Sequence, residues 1–157
     1  MTHKYIAPVA ALVTAAVLFF ATAAAAPAGD FFETGGTAIR GYDPVTYFSE
    51  NKPVRGSPAY TADFGGSKFH FASASNRDAF TADPARYVPQ YNGFCAFGVA
   101  GGYKAAIDPA AFTVVNGRLY LNYNRDIQRK WSRDIPGFVD KADRNWPQVR
   151  KQTKVIE

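Results

Sequence analysis

Residues 59–71 read Ala-Tyr-Thr-Ala-Asp-Phe-Gly-Gly-Ser-Lys-Phe-His-Phe, and this stretch decides the fold class. Gly65-Gly66 supplies the positive-φ freedom of a two-residue turn, so Ala59–Phe64 and Lys68–Phe71 are predicted to pair as a β-hairpin. Phe69 and Phe71 lie two apart and share one face, while His70 points to the other. A second hairpin is expected where Phe112–Val115 and Arg118–Tyr123 flank Asn116-Gly117, the strongest short turn signal.

Between the hairpins, Ser75–Thr81 carries a capping serine and is predicted helical, burying Phe80. After the second hairpin Asn124 can cap, and Ile127, Trp131 and Ile135 recur at four-residue spacing as one apolar stripe. Pro136-Gly137 should break that helix. Phe138, Val139, Ala142 and Trp146 form a second stripe, which Pro147 should stop. Arg129, Lys130, Arg133, Lys141 and Arg144 fall on the other faces and read as a solvated surface. Three Asp-Pro pairs, Asp43-Pro44, Asp83-Pro84 and Asp108-Pro109, are each expected to open a short helix or turn. No internal repeat or low-complexity segment is read. The predicted fold is α+β: a small antiparallel sheet from two β-hairpins, covered by short helices and a C-terminal helical pair.

The chain begins with an address. His3 and Lys4 form a basic head, Ile6–Ala21 is apolar apart from Pro8 and Thr14, and the run Ala21–Ala26 is small-residue. This is the plan of a secretory signal peptide, with Ala25 the preferred last residue. The alternative, a retained anchor, needs about 20 apolar residues, and this core is shorter. The expected organisation is a signal peptide at 1–25, a linker at 26–38, one domain at 39–150 and a tail at 151–157. A domain of roughly 130 residues buries roughly two-thirds of its unfolded surface and needs no staple.

The net charge of +5 is common in nucleic-acid binders, but export to a periplasmic or extracellular space argues against that, and a solvated basic face with no partner is preferred over contact with an anionic envelope surface. After signal removal no transmembrane span is expected. The expected partner is an unidentified protein or metal of the envelope. Cys95 is the single cysteine, so no internal disulfide forms in that oxidising compartment. Beyond the signal there is one histidine, His70, and no methionine.

Several motifs resemble the YHS domain, a small hairpin-plus-helix module found beside heavy-metal transport proteins. They are Asp43-Pro44-Val45, Lys68–Ser73, Asn76–Phe80 and Asp83–Tyr87. Pro89–Phe97 and Leu119–Asn124 are similar to an exported bacterial branch that includes annotated selenoproteins. The resemblance spans roughly Ile39 to Val149. It implies a metal-handling or redox role in the envelope. Metal-binding relatives carry cysteine where this chain has Thr46, Ala72 and Asn76. A closed zinc site needs four ligands, so the family-type thiolate zinc site is missing.

Cys95 is the principal candidate, as a redox thiol or as a ligand for a soft metal ion such as copper. The alternative is a small buried hydrophobe, because Phe94–Phe97 is an apolar run with no nearby base to lower the thiol pKa. His70 is a second metal candidate, able to join Cys95 in an open site completed by water, Tyr91 or a second subunit. Otherwise it is a polar strand residue. Gly98–Lys104 lacks the Gly-Lys-Ser/Thr ending of a phosphate loop, and a single imidazole leaves no serine–histidine–acid triad. The expected function is an exported YHS-type accessory protein using Cys95. The competing expectation is a non-catalytic binding module with Cys95 in its core.

Overall fold

The structure is a computed structural model that describes residues 30–157, so the predicted signal peptide lies outside the described residues. The described chain opens with a ribbon of β1 (Glu33–Thr34) and β2 (Thr37–Ala38). A tight 3-10 turn at Ile39–Gly41 leads to α1 (Thr46–Ser49). The first hairpin is β3 (Ser57–Phe64) with β4 (Ser67–Phe71), followed by α2 (Ala74–Ala82) and α3 (Pro84–Tyr87). A second 3-10 turn at Gln90–Gly93 precedes α4 (Ala96–Ala100) and the short strand β5 (Lys104–Ala105). The second hairpin is β6 (Asp108–Val115) with β7 (Arg118–Asn122). The helices α5 (Arg125–Trp131) and α6 (Ile135–Val149) and a final strand, β8 (Val155–Ile156), complete the chain. The fold is α+β.

Both hairpins turn where their glycines require it, yet they do not merge into one sheet. Each remains a separate two-stranded antiparallel ladder. The cause is that each hairpin buries its own face. Phe69 and Phe71 pack with Phe80 of α2 in one apolar cluster, while Leu119 and Leu121 join Trp131 of α5 in a larger one. None of these side chains is more than 1% exposed. At about 25 cal/mol per Å2, aromatic burial on this scale is a leading source of stability.

Several boundaries move from their expected places. Residues 30–38 are not a loose linker: Phe31 and Phe32 are buried, and the amides of Asp30 and Phe32 donate to the carbonyls of Gly65 and Asn92. Two adjacent phenylalanines gain more by packing than a linker would by staying wet. The C-terminal stretch likewise pairs, β8 lying parallel to β5. The cap of α2 is Ser73, whose Oγ accepts from the Asn76 amide at 3.1 Å, not Ser75. The C-terminal helices divide before Ile135, because Asp134 caps the Gly137 amide and Pro136 fits the first turn of α6. Pro147 lies inside α6 rather than stopping it, since one lost bond near the end is offset by burying Val149. Asp108-Pro109 opens no helix but sits in β6, where Asp108 Oδ1 accepts from the Ala110 amide at 2.8 Å.

The described chain also contains one folding unit twice, its copies roughly 50 residues apart, a relation not apparent in the sequence. Ile39, Arg40 and Gly41 all have positive φ (44°, 59° and 74°), and so do Tyr91, Asn92 and Gly93 (53°, 52° and 79°). Each triplet closes with the same bond, Tyr42 N–H to Ile39 O and Phe94 N–H to Tyr91 O. Asp43 N–H donates to Val54 O as Cys95 N–H does to Ala105 O. A short helix and a hairpin follow in each copy. The register slips between Ser57 and Thr61 in one hairpin and between Asp108 and Phe112 in the other. Ser73 caps α2 as Asn124 caps α5, and Phe80 and Trp131 fill matching core positions. The sequence hides this plan because few aligned side chains are identical.

Candidate functional site

The duplicated plan sets Cys95 in the place that Asp43 holds in the first copy. Asp43 is fully buried. Its Oδ1 accepts from the Val45 amide at 2.8 Å, and its Oδ2 accepts from the Ala72 amide at 2.8 Å and Asn76 Nδ2 at 2.7 Å. Thr46 Oγ donates to the Asp43 carbonyl at 3.0 Å. Thr46, Ala72 and Asn76, the three positions that lack thiolates, thus gather around Asp43: Ala72 and Asn76 at its carboxylate and Thr46 at its backbone carbonyl.

In the second copy the equivalent corner is built differently. Cys95 precedes α4, and its Sγ accepts from the Gly98 amide at 3.5 Å. The thiol donates to Asn122 Oδ1 at 3.7 Å, and that same oxygen accepts from the Phe97 amide at 3.2 Å. Asn122 Nδ2 is buried with no partner. Burial pushes the Cys95 thiol above its ordinary value, while the amides of Gly98, Tyr123 and Phe97 pull the other way without cancelling it. Two of these amides, Phe97 and Tyr123, match Val45 and Ala72 around Asp43.

A further difference opens the corner. Ala72 and Asn76 correspond to Tyr123 and Ile127, and both of these line a cavity of about 280 Å3 against Cys95. Phe97, Tyr103, Ala105 and Ile156 complete its walls, so it is mainly apolar. Tyr103 and Tyr123 are partly solvent-exposed, at 37% and 38%, whereas Cys95 itself is 1% exposed. A cavity therefore lies beside Cys95, which contributes to its wall while staying almost wholly buried.

His70 is placed elsewhere. It lies on β4 opposite Thr61, with Nδ1 near the Gly41 backbone. Burial and the neighbouring Lys68 charge lower its pKa. Neither His70 nor its neighbours line the Cys95 pocket. Tyr91 is also engaged: its hydroxyl donates to Asp143 Oδ1 at 2.9 Å, and burial with the Asp143 contact raises its pKa far above the phenol range. Neither His70 nor Tyr91 is among the residues that line the Cys95 pocket. No group of three or more His, Cys, Asp or Glu side chains suits a metal ion among the described residues. No helix among the described residues is long and apolar enough to cross a membrane.

Sequence reasoning found Cys95 but missed its partner Asn122 and the pocket residues Tyr103, Tyr123 and Ile156. The Asn122 signal was a polar residue inside the apolar strand Leu119–Tyr123. Ile156 carried none, because only the parallel pairing of β8 brings it to the pocket. No protein-family model, curated protein or solved structure matches this chain.

Proposed function

We propose that this is an exported accessory protein of the YHS type whose Cys95 acts as a single redox-active thiol, reached through the apolar pocket beside it. The observation that carries the reading is that cavity against a cysteine whose sulfur accepts from the Gly98 amide, with the Phe97 and Tyr123 amides beside it. A structural cysteine needs neither. The cavity admits small uncharged molecules and disfavours large or charged ones, because its walls are phenyl, phenol and alkyl groups. A soft metal such as copper would find one sulfur and no second Cys, His or carboxylate ligand in the pocket wall, so the donor set favours thiol chemistry over ion storage. The remaining +4 charge after signal removal reads as solubility rather than nucleic-acid contact, and the signal-like pattern of the leading segment supports export.

Native alkylation tests this. Iodoacetamide should label Cys95 in the folded protein, and a bulky maleimide should label it far more slowly. A sulfur inert to iodoacetamide until the protein is unfolded would make Cys95 a core residue and the protein a non-catalytic binding module.

A further inference from the structure

The first copy of the unit shows what the second copy's corner is shaped to hold. Around Asp43 the backbone presents the Val45 and Ala72 amides to two carboxylate oxygens, each at 2.8 Å. Around Cys95 the same backbone positions present Phe97 and Tyr123, joined by Gly98. A thiol is a weak acceptor and uses these donors poorly; its Gly98 contact is 3.5 Å long. The Phe97 amide turns instead to Asn122 Oδ1, and Asn122 Nδ2, fully buried, is left with no acceptor. A buried amide nitrogen without a partner is uncommon and points to a group that is absent from the reduced site. Donors outnumber acceptors here. An oxygen-bearing anion on sulfur would give these amides the strong acceptor that a thiol is not.

We propose that Cys95 is a site of oxidative modification by hydrogen peroxide, and that its sulfinate is held in this amide cradle as the Asp43 carboxylate is held in its own. A sulfinate carries two oxygens and one negative charge, as a carboxylate does. In the first step the sulfur attacks one peroxide oxygen, an S–O bond forms as the O–O bond breaks, and the thiol proton leaves with the departing oxygen as water. Sulfur loses two electrons and the peroxide gains them. A second hydrogen peroxide repeats the step, giving the sulfinate, one released proton and a second water. One sulfinate oxygen then accepts from Phe97 and another from Tyr123. The Asn122 amide, released from Phe97, rotates so that Nδ2 donates to the new anion. The pocket beside Cys95 is the entry path for the peroxide, so this inference rests on the thiol being reachable.

The test treats the full-length protein with hydrogen peroxide, follows its mass and melting temperature, and runs iodoacetamide labelling in parallel. The expected product gains about 32 Da on Cys95 and melts about 4 °C or more above the reduced protein. Cys95→Asp should melt above Cys95→Asn, because the two differ mainly in charge and the cradle prefers the anion. A product of that mass that melts lower, or a Cys95→Asp that is less stable than Cys95→Asn or does not fold, overturns the inference. Native labelling by iodoacetamide in that case leaves the thiol reading standing. Absence of both labelling and oxidation in the folded state overturns both.

Discussion

Asp43 and Cys95 hold the same position in two copies of one folding unit, each donating its backbone amide to the same loop carbonyl position, Val54 O or Ala105 O. One copy closes its corner with a carboxylate, and the other leaves a thiol beside a cavity.

Replacing Asp43 should therefore be costly. Asp43→Ala strands the Val45 and Ala72 amides and Asn76 Nδ2, so unfolding free energy should fall by about 3 kcal/mol. Asp43→Asn should fall less, since it keeps one acceptor oxygen. Urea midpoints at constant m settle the order, and equal losses would show that the carboxylate is not the acceptor that matters.

Cys95→Ser should be mild, at less than about 1 kcal/mol, because the hydroxyl can donate to Asn122 Oδ1 and accept from Gly98. A cysteine in a purely apolar setting would cost about 1–3 kcal/mol on the same change. Cys95→Leu should be worse than Cys95→Ser, since it leaves the amides without an acceptor.

The hairpins, the α5 cap at Asn124 and the buried faces were legible in the sequence because each rests on local spacing: Asn116-Gly117, Phe69 with Phe71, Asn124 before an amphipathic run. The site was legible only as a sulfur. Its walls come from four separate segments, namely Phe97, Tyr103 with Ala105, Tyr123 with Ile127, and Ile156, and no local pattern records that meeting. The duplicated unit escaped notice for a related reason. What repeats is backbone geometry, a run of three positive-φ residues, and Ile-Arg-Gly and Tyr-Asn-Gly share only the glycine.

Two positive-φ glycines, Gly117 in the β6–β7 turn and Gly93 in the second triplet, give a graded test. Gly117 has φ +71 and open space around it, so Gly117→Ala should cost about 1 kcal/mol from backbone conformation alone. Gly93 has φ +79, and a Cβ there would lie 2.8 Å from Ile39 Cγ2. Gly93→Ala carries that clash in addition and should be clearly the less stable in thermal melts.

Alkaline pH should loosen the fold in order. The unfolded chain releases the Cys95 proton near 9.0 and the Tyr47 and Tyr91 protons near 10.0, while the folded state holds all three longer, chiefly through burial. Raised folded values mean that this stability is whole below those pH values and declines above them. Urea midpoints should begin to fall past 9.0, with Tyr91→Phe flattening the slope above 10.0. Iodoacetamide labelling should rise about tenfold per pH unit and still be climbing at 9.0, because the thiolate is the nucleophile.

The last strand offers the most direct control of the pocket. Ile156 forms part of its wall, yet β8 is only two residues long and Ile156 is 45% exposed, so little holds this wall in place. A chain ended at Gln152 loses Ile156, the packing of Val155 on the core, the β5–β8 pairing and the Ala106 N–H to Ile156 O bond, 2.8 Å long. It keeps the anchors behind them, Lys104 Nζ to the carbonyls of Arg150 and Gln152 and Gln152 Nε2 to Gly102 O. Stability should fall by roughly 1–3 kcal/mol, while native labelling of Cys95 should accelerate well beyond any rise in the unfolded fraction. Ile156→Ala should give the smaller change in the same direction. If truncation leaves the labelling rate unchanged, the route to the sulfur runs between Tyr103 and Tyr123, and opening that side by Tyr123→Ala should then accelerate it.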